Sequence, residues 1–114
     1  MSETPYPRMT AASARHRHDL APDIDDAFLA FSKAVFRDGA LSAKTKQLIA
    51  VAVAHVTQCP YCIRGHTKAA KRDGATPEEI MEAIWVAAEM RAGGAYAHSV
   101  LALDVLAPAP KPEV

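Results

Sequence analysis

Two cysteines three residues apart, with a histidine four residues after the second, are the part of this chain best suited to chemistry. They lie in His55-Val-Thr-Gln-Cys59-Pro60-Tyr61-Cys62-Ile-Arg-Gly-His66. Pro60 suits the first position of a helix, so the pair brackets a helix start, where backbone N–H groups have no partner within the helix. Sulfurs placed there favour thiolate over thiol by about 0.3–1 kcal/mol through the helix dipole. At that spacing a disulfide closes with little backbone movement. His66 shares a helix face with Cys62, and its imidazole can take the thiol proton directly or through one water. Cys59 is two turns away from His66. The spacing therefore nominates Cys62 as the attacking nucleophile and Cys59 as its resolving partner.

Plainer readings compete with this one. Small cysteines can simply fill a core. His55, Cys59, Cys62 and His66 together offer zinc two nitrogens and two sulfurs, but all four fall within twelve residues. The distant second ligand pair of zinc modules is missing, so no metal site is expected. His55, on the apolar helix, reads first as a core histidine hydrogen-bonded locally, although its place four residues before Cys59 makes it a candidate for the proton relay. Tyr61 suits either the access to Cys62 or an exposed surface. Tyr96 and His98 suit a pocket or protomer contact less well than an exposed helix face. Trp85 is expected in the core.

The elements that must hold these residues are helical. Of the eight prolines, Pro5, Pro7, Pro108, Pro110 and Pro112 sit near the ends, and Pro22, Pro60 and Pro77 stand where helices can begin. Residues 1–18 are polar and read as a flexible arm. From Asp23, the spacing of Ile24, Phe28, Phe31 and Val35 makes an apolar stripe that stops at Asp38-Gly39. Ser42 can cap a helix reaching about Gln58, whose stretch Leu48–Ala54 is apolar on every side and so belongs in a core or an oligomer interface. A third helix runs from Pro60 to Asp73-Gly74. Thr76-Pro77-Glu78-Glu79 then has the form of a capping box, opening a helix with Ile80, Met81, Ile84, Trp85 and Ala88 on one stripe. Gly93-Gly94 predicts a break or kink before a last helix, Tyr96–Leu106, and a Pro/Ala-rich tail over 107–114. The expected fold is all-α: one helical domain over 19–106, a bundle of about five to six helices that assembles into a homo-oligomer.

Length and charge narrow the function. With 114 residues and 13 charges of each sign, the chain is one small neutral domain, which argues against a nucleic-acid binder. Its longest apolar run has seven residues, too short for a membrane span, and the amino terminus has no apolar signal core. A small cytoplasmic protein is the expected class.

Three segments resemble the core of the alkylhydroperoxidase D-like family, within the carboxymuconolactone decarboxylase superfamily: Lys44-Thr-Lys-Gln47-Leu-Ile-Ala50, Cys59-Pro-Tyr-Cys62-Ile-Arg-Gly-His66-Thr67 and Gly74-Ala-Thr-Pro-Glu-Glu-Ile80. The likeness spans roughly residues 24–106. It implies an AhpD-like helical protomer in trimers or hexamers, and thiol-dependent reduction of hydroperoxides by a CxxC pair that cycles between dithiol and disulfide. Matched residue by residue, Cys62 would attack, Cys59 would resolve and His66 would help remove the proton. The family's relay glutamate falls on Gln47, which cannot accept a proton at neutral pH. His55 is the residue here that could stand in. No bound cofactor is expected, and the reductant would be an external dithiol, a lipoyl carrier or thioredoxin-like protein. A redox-sensing or structural oligomer, or a relative of the lactone decarboxylases, is the alternative on this fold.

Overall fold

The computed structural model describes residues 5–110, and among these every regular element is an α-helix: α1 (Ala11–Leu20), α2 (Pro22–Val35), α3 (Ala43–Thr57), α4 (Pro60–Arg72) and α5 (Pro77–Leu106). Pro22, Pro60 and Pro77 each open a helix, where the missing N–H costs nothing. Polar caps set the other starts. Thr10 and Ser13 cap each other's backbone at α1, and Ser42 accepts from Thr45 N–H at α3.

Helix α3 is the organising element, packing along both α4 and α5. The core between them is small: Val51, Ala70 and Ala75 are buried, with Leu48, Ile80 and Ile84 packed against them. Alanines at 54, 69 and 87 let the backbones approach closely. Lys44 on α3 reaches Glu79 on α5 at 2.8 Å, holding that carboxyl below its usual range. Glu79 also belongs to the box that starts α5: it donates its N–H to Thr76 Oγ1 at 3.1 Å and accepts Thr76 N–H at 2.9 Å. Thr76→Ala removes one half of that exchange, so chemical denaturation should show a loss of about 1 kcal/mol.

Two turns fix how α4 lies against α3. After α3, Gln58 adopts a left-handed conformation (φ 57°) and Cys59 N–H returns to Ala54 carbonyl at 3.1 Å, which terminates the helix and leaves Cys59 as the N-cap of α4. After α4, Gly74 (φ 95°) takes the conformation that glycine adopts without strain, and Ala75 N–H closes onto Ala70 carbonyl.

Helices α1 and α2 stand apart as a hairpin, pairing with each other and with none of α3, α4 or α5. Asp26 accepts from His18 Nε2 across the hairpin at 2.9 Å and holds that imidazole's pKa above its usual value. The protomer is therefore long, 72 × 40 × 36 Å, with a radius of gyration of 20.8 Å. A compact domain of about 100 residues has roughly 13 Å.

Several sequence expectations change. The arm of residues 1–18 contains most of α1, because the Thr10–Ser13 exchange and three alanines start a helix that carries no apolar stripe; residues 1–4 lie outside the described range. Gly93-Gly94 does not break α5, which runs through both. Two glycines lower helix propensity by about 1 kcal/mol each, and the alanine-rich flanks offset this. A Cβ at Gly93 would stand 3.2 Å from the Glu89 carboxylate. Trp85 is 65 % exposed, since the neighbours of α5 cover only the narrow strip around Ile80 and Ile84. Ala107 is extended, and residues 111–114 of the tail lie outside the described range.

Candidate active site

The left-handed turn at Gln58 and the proline at 60 place both cysteines on the first turn of α4. The sulfurs of Cys59 and Cys62 are 2.9 Å apart, both thiols are free, and both residues are half-buried. At that distance they share one proton, and either can donate it. The backbone breaks the symmetry. Cys59, as N-cap, accepts Cys62 N–H on its sulfur at 3.3 Å, so negative charge is better held there. Hydrogen bonding from the Cys62 thiol and backbone lowers the Cys59 pKa, with a smaller contribution from Tyr61 N–H. The Cys62 thiol moves the other way, raised first by its bond to Cys59 and then by burial. On first ionisation the remaining proton therefore stays on Cys62, and the pair titrates as a unit.

Behind the dithiol, α3 and α4 bring together two polar side chains that are 19 residues apart in sequence. His66 Nδ1 donates to Gln47 Oε1 at 2.8 Å. Gln47 is 4 % exposed and is the buried polar residue of this small core. Its carbonyl fixes the tautomer, with the proton on Nδ1 and Nε2 left as an acceptor. The Phe36 ring, just past the end of α2, lies 5.1 Å from the His66 ring at a tilt of 30°. Sequence reasoning missed Phe36, because nothing local marks a residue beyond the end of a stripe as a neighbour of α4. Among the described residues no hydrogen bond joins His66 to either sulfur, so in this geometry proton exchange between them needs a bridging water or a side-chain movement.

His55 Nδ1 donates to the Val51 carbonyl of its own helix at 2.7 Å. Tyr61 turns away from the thiols and donates its hydroxyl to Pro7 carbonyl at 2.7 Å, joining α4 to the segment before α1. Tyr96 is 84 % exposed on the second half of α5, and His98 Nδ1 donates to Gly94 carbonyl on the same helix. Neither is brought to the cysteines by a polar contact. Among the described residues no three His, Cys, Asp or Glu side chains gather as a metal-holding group, so the four possible zinc ligands do not converge. No described helix is long and apolar enough to cross a membrane.

A dithiol at a helix start, backed by a tautomer-fixed histidine, is competent for thiol–disulfide chemistry. Known proteins share the fold. A protein of Paracoccus denitrificans, called uncharacterized protein 4 in cox locus, is 65 % identical over 106 residues, covering 93 % of this chain and 95 % of that one. The apo crystal structure of a carboxymuconolactone decarboxylase family protein from Legionella pneumophila is 35 % identical, with a TM-score of 0.66 over 69 % of this chain and 70 % of that chain. A further member from Thermotoga maritima, whose suggested involvement is in an antioxidative response, is 26 % identical, with a TM-score of 0.51 over 88 % of this chain and 100 % of that chain. The family model for carboxymuconolactone decarboxylases matches residues 22–105, from the first turn of α2 to the last of α5, and this chain belongs to that family.

Proposed function

We propose that the protein is a thiol peroxidase that reduces organic hydroperoxides through the Cys59/Cys62 pair. The observation that carries this is the 2.9 Å separation of two free sulfurs at the start of α4, one of them held as the more acidic thiol by the other's S–H and then by backbone N–H groups. The antioxidative role suggested for the Thermotoga maritima relative supports the same reading.

The reaction starts from the dithiol with one proton removed. The shared proton moves to Cys59, and the Cys62 thiolate attacks the distal oxygen of the hydroperoxide. An S–O bond forms, the O–O bond breaks, and the leaving alkoxide takes a proton from solvent to depart as an alcohol. Cys59 then attacks the Cys62 sulfenic acid. The disulfide closes, and the expelled hydroxide takes the remaining proton to become water. An external dithiol, a lipoyl carrier or thioredoxin-like protein, returns two electrons by exchange. Cys62 is given the attack because it matches the attacking cysteine of the resembled family and lies one turn before His66; its thiolate is the minor form of the monoanion, reached by the proton shift to Cys59. Cys59, the more acidic, is the better leaving group when the reductant attacks Cys62. We also place the working enzyme in a homo-oligomer, trimer or hexamer, which the uncovered apolar faces of α2 and α5 favour.

The direct test is rapid mixing of metal-free reduced protein with cumene hydroperoxide. Loss of both thiols much faster than from a simple thiol, giving the mass of one intramolecular disulfide, is the expected result. A rate no better than that of a simple thiol would remove the peroxidase reading and leave the pair a structural or sensing role.

Position 47 sets how strongly His66 can help. A carboxylate in place of the Gln47 amide would accept the same Nδ1–H and favour the imidazolium, which in turn steadies a thiolate. Gln47→Glu should therefore raise the peroxide rate at pH 7 by about tenfold. An unchanged or lower rate would make position 47 purely structural. His55→Asn tests the other relay residue: with its ring committed to Val51, the expected change is under about twofold, and a larger fall would assign Nε2 of His55 a share in proton removal.

A further inference from the structure

On the flank of α4 turned away from Gln47, the segment Tyr6–Met9 crosses the first turns of the helix and encloses a hollow of about 200 Å³. Its floor is Pro60, Tyr61 and Gly65, and its roof is Tyr6 and Pro7. Tyr6 and Tyr61 meet edge to face with ring centroids 5.9 Å apart, and the Tyr61 hydroxyl fastens the roof through Pro7 carbonyl. Three cations, Arg8, Arg64 and Lys68, line this space. A second hollow against Tyr61 shares Arg8 and adds Ser13 and Arg17 from α1. No aspartate or glutamate lines either hollow, and none of the four cations forms an ion pair among the described residues. In a chain whose charges balance overall, this is a local excess of positive charge that the fold itself collects.

We propose that this hollow binds a small organic anion with a flat apolar body, its carboxylate or phosphate held by Arg8, Arg64 and Lys68 and its body set against the tyrosine and proline walls. Guanidinium groups grip carboxylate and phosphate oxygens in a bidentate fork, and lysine adds a mobile point charge. The rings and prolines supply what such a head group alone does not need, a dry surface for the attached body. Concavity favours a small molecule over an extended acidic chain. A bound anion would bridge Arg8 before α1 to Arg64 and Lys68 on α4, tying the amino-terminal segment to the helix that carries the thiols. The proposal does not depend on peroxidase activity.

Gly65 makes a clean test possible. It lines the hollow, and a Cβ built there meets nothing within 4 Å. Gly65→Leu therefore fills the space while improving helix propensity, so the fold should stand, as a thermal melt would verify. Calorimetric titration of the full chain would use 3-phenylpropionate, phenyl phosphate and the neutral 3-phenylpropanol. Saturable binding of at least one acid is expected, about tenfold or more tighter than the alcohol and weakened by salt. The head group that binds more tightly identifies the kind of anion. Arg64→Gln with Lys68→Gln should weaken acid binding about tenfold, and Gly65→Leu should abolish it. Equal binding of the alcohol, or undiminished acid binding by Gly65→Leu, would overturn the proposal. So would binding of a polyglutamate peptide where neither small acid binds, which would make this face a docking surface for an acidic protein.

Discussion

Cys62→Ser should lose the fast reaction with hydroperoxide, slowing oxidation of the remaining thiol on the order of 100-fold or more. Cys59→Ser should instead react once and stop, leaving a sulfenic acid on Cys62 that a dimedone trap detects. The asymmetry follows from the first turn of α4. Cys59 accepts the N–H of Cys62 and shares the second thiol's proton, so it is the sulfur that holds charge best and leaves best from the disulfide. Cys62, the weaker acid, matches the attacking cysteine of the resembled family, and His66 lies one turn along the same face. The pair also sets the pH dependence. Hydrogen bonding lowers the Cys59 pKa, so the first proton leaves the wild-type dithiol below the pH at which an ordinary thiol ionises. The rate should rise with pH through that low midpoint. Removing Cys59 removes the acceptor that shares the charge, so the midpoint of the single-turnover reaction in Cys59→Ser should move upward. The opposite pattern, a trapped sulfenic acid on Cys59 in Cys62→Ser at the wild-type rate, would transfer the attacking role to the more acidic sulfur.

Much of this site can be read from spacing, because its key groups lie on one helix. Cysteines at 59 and 62 with a proline between them specify an N-cap and first turn, and the structure brings their sulfurs together there. The partner of His66 is another matter. Gln47 sits on α3, and only the antiparallel packing of α3 on α4 brings the amide to the ring; the family resemblance marked the position before any geometry could. Phe36 and the Pro7–Tyr61 bond had no signal at all, since each joins a loop to α4 across a long stretch of chain. The same division holds for the fold. Helices announced by proline or a capping box were readable, whereas α1, polar on all sides, was not. Burial was the least readable property. An apolar stripe says that a face needs covering and does not say which chain covers it, and Trp85 shows the consequence.

Phe28 and Phe31 on α2 are 62 % and 64 % exposed, on the stripe they share with Ile24 and Val35, and none of α3, α4 and α5 packs along it. Ile49 and Val53 on the outer side of α3, and Trp85, Val86 and Met90 on α5, are uncovered as well. Burying one such side chain is worth about 1.5–3 kcal/mol, so the uncovered faces of two copies have much to gain from each other. The hairpin of α1 and α2 packs along none of α3, α4 and α5, which leaves its stripe free for a neighbouring copy in the oligomer proposed above. Wild-type protein should therefore sediment as an oligomer at micromolar concentration. Phe28→Asp with Phe31→Asp should shift it to monomer, because two carboxylates in an apolar interface cannot be buried without partners. The α3–α5 core does not use these rings, so the monomer should keep its helical circular dichroism, although its melting temperature should fall with the lost association. Wild-type sedimentation as a monomer would show that α2 finds its cover within its own chain in solution, by the hairpin folding back onto α3 or α5.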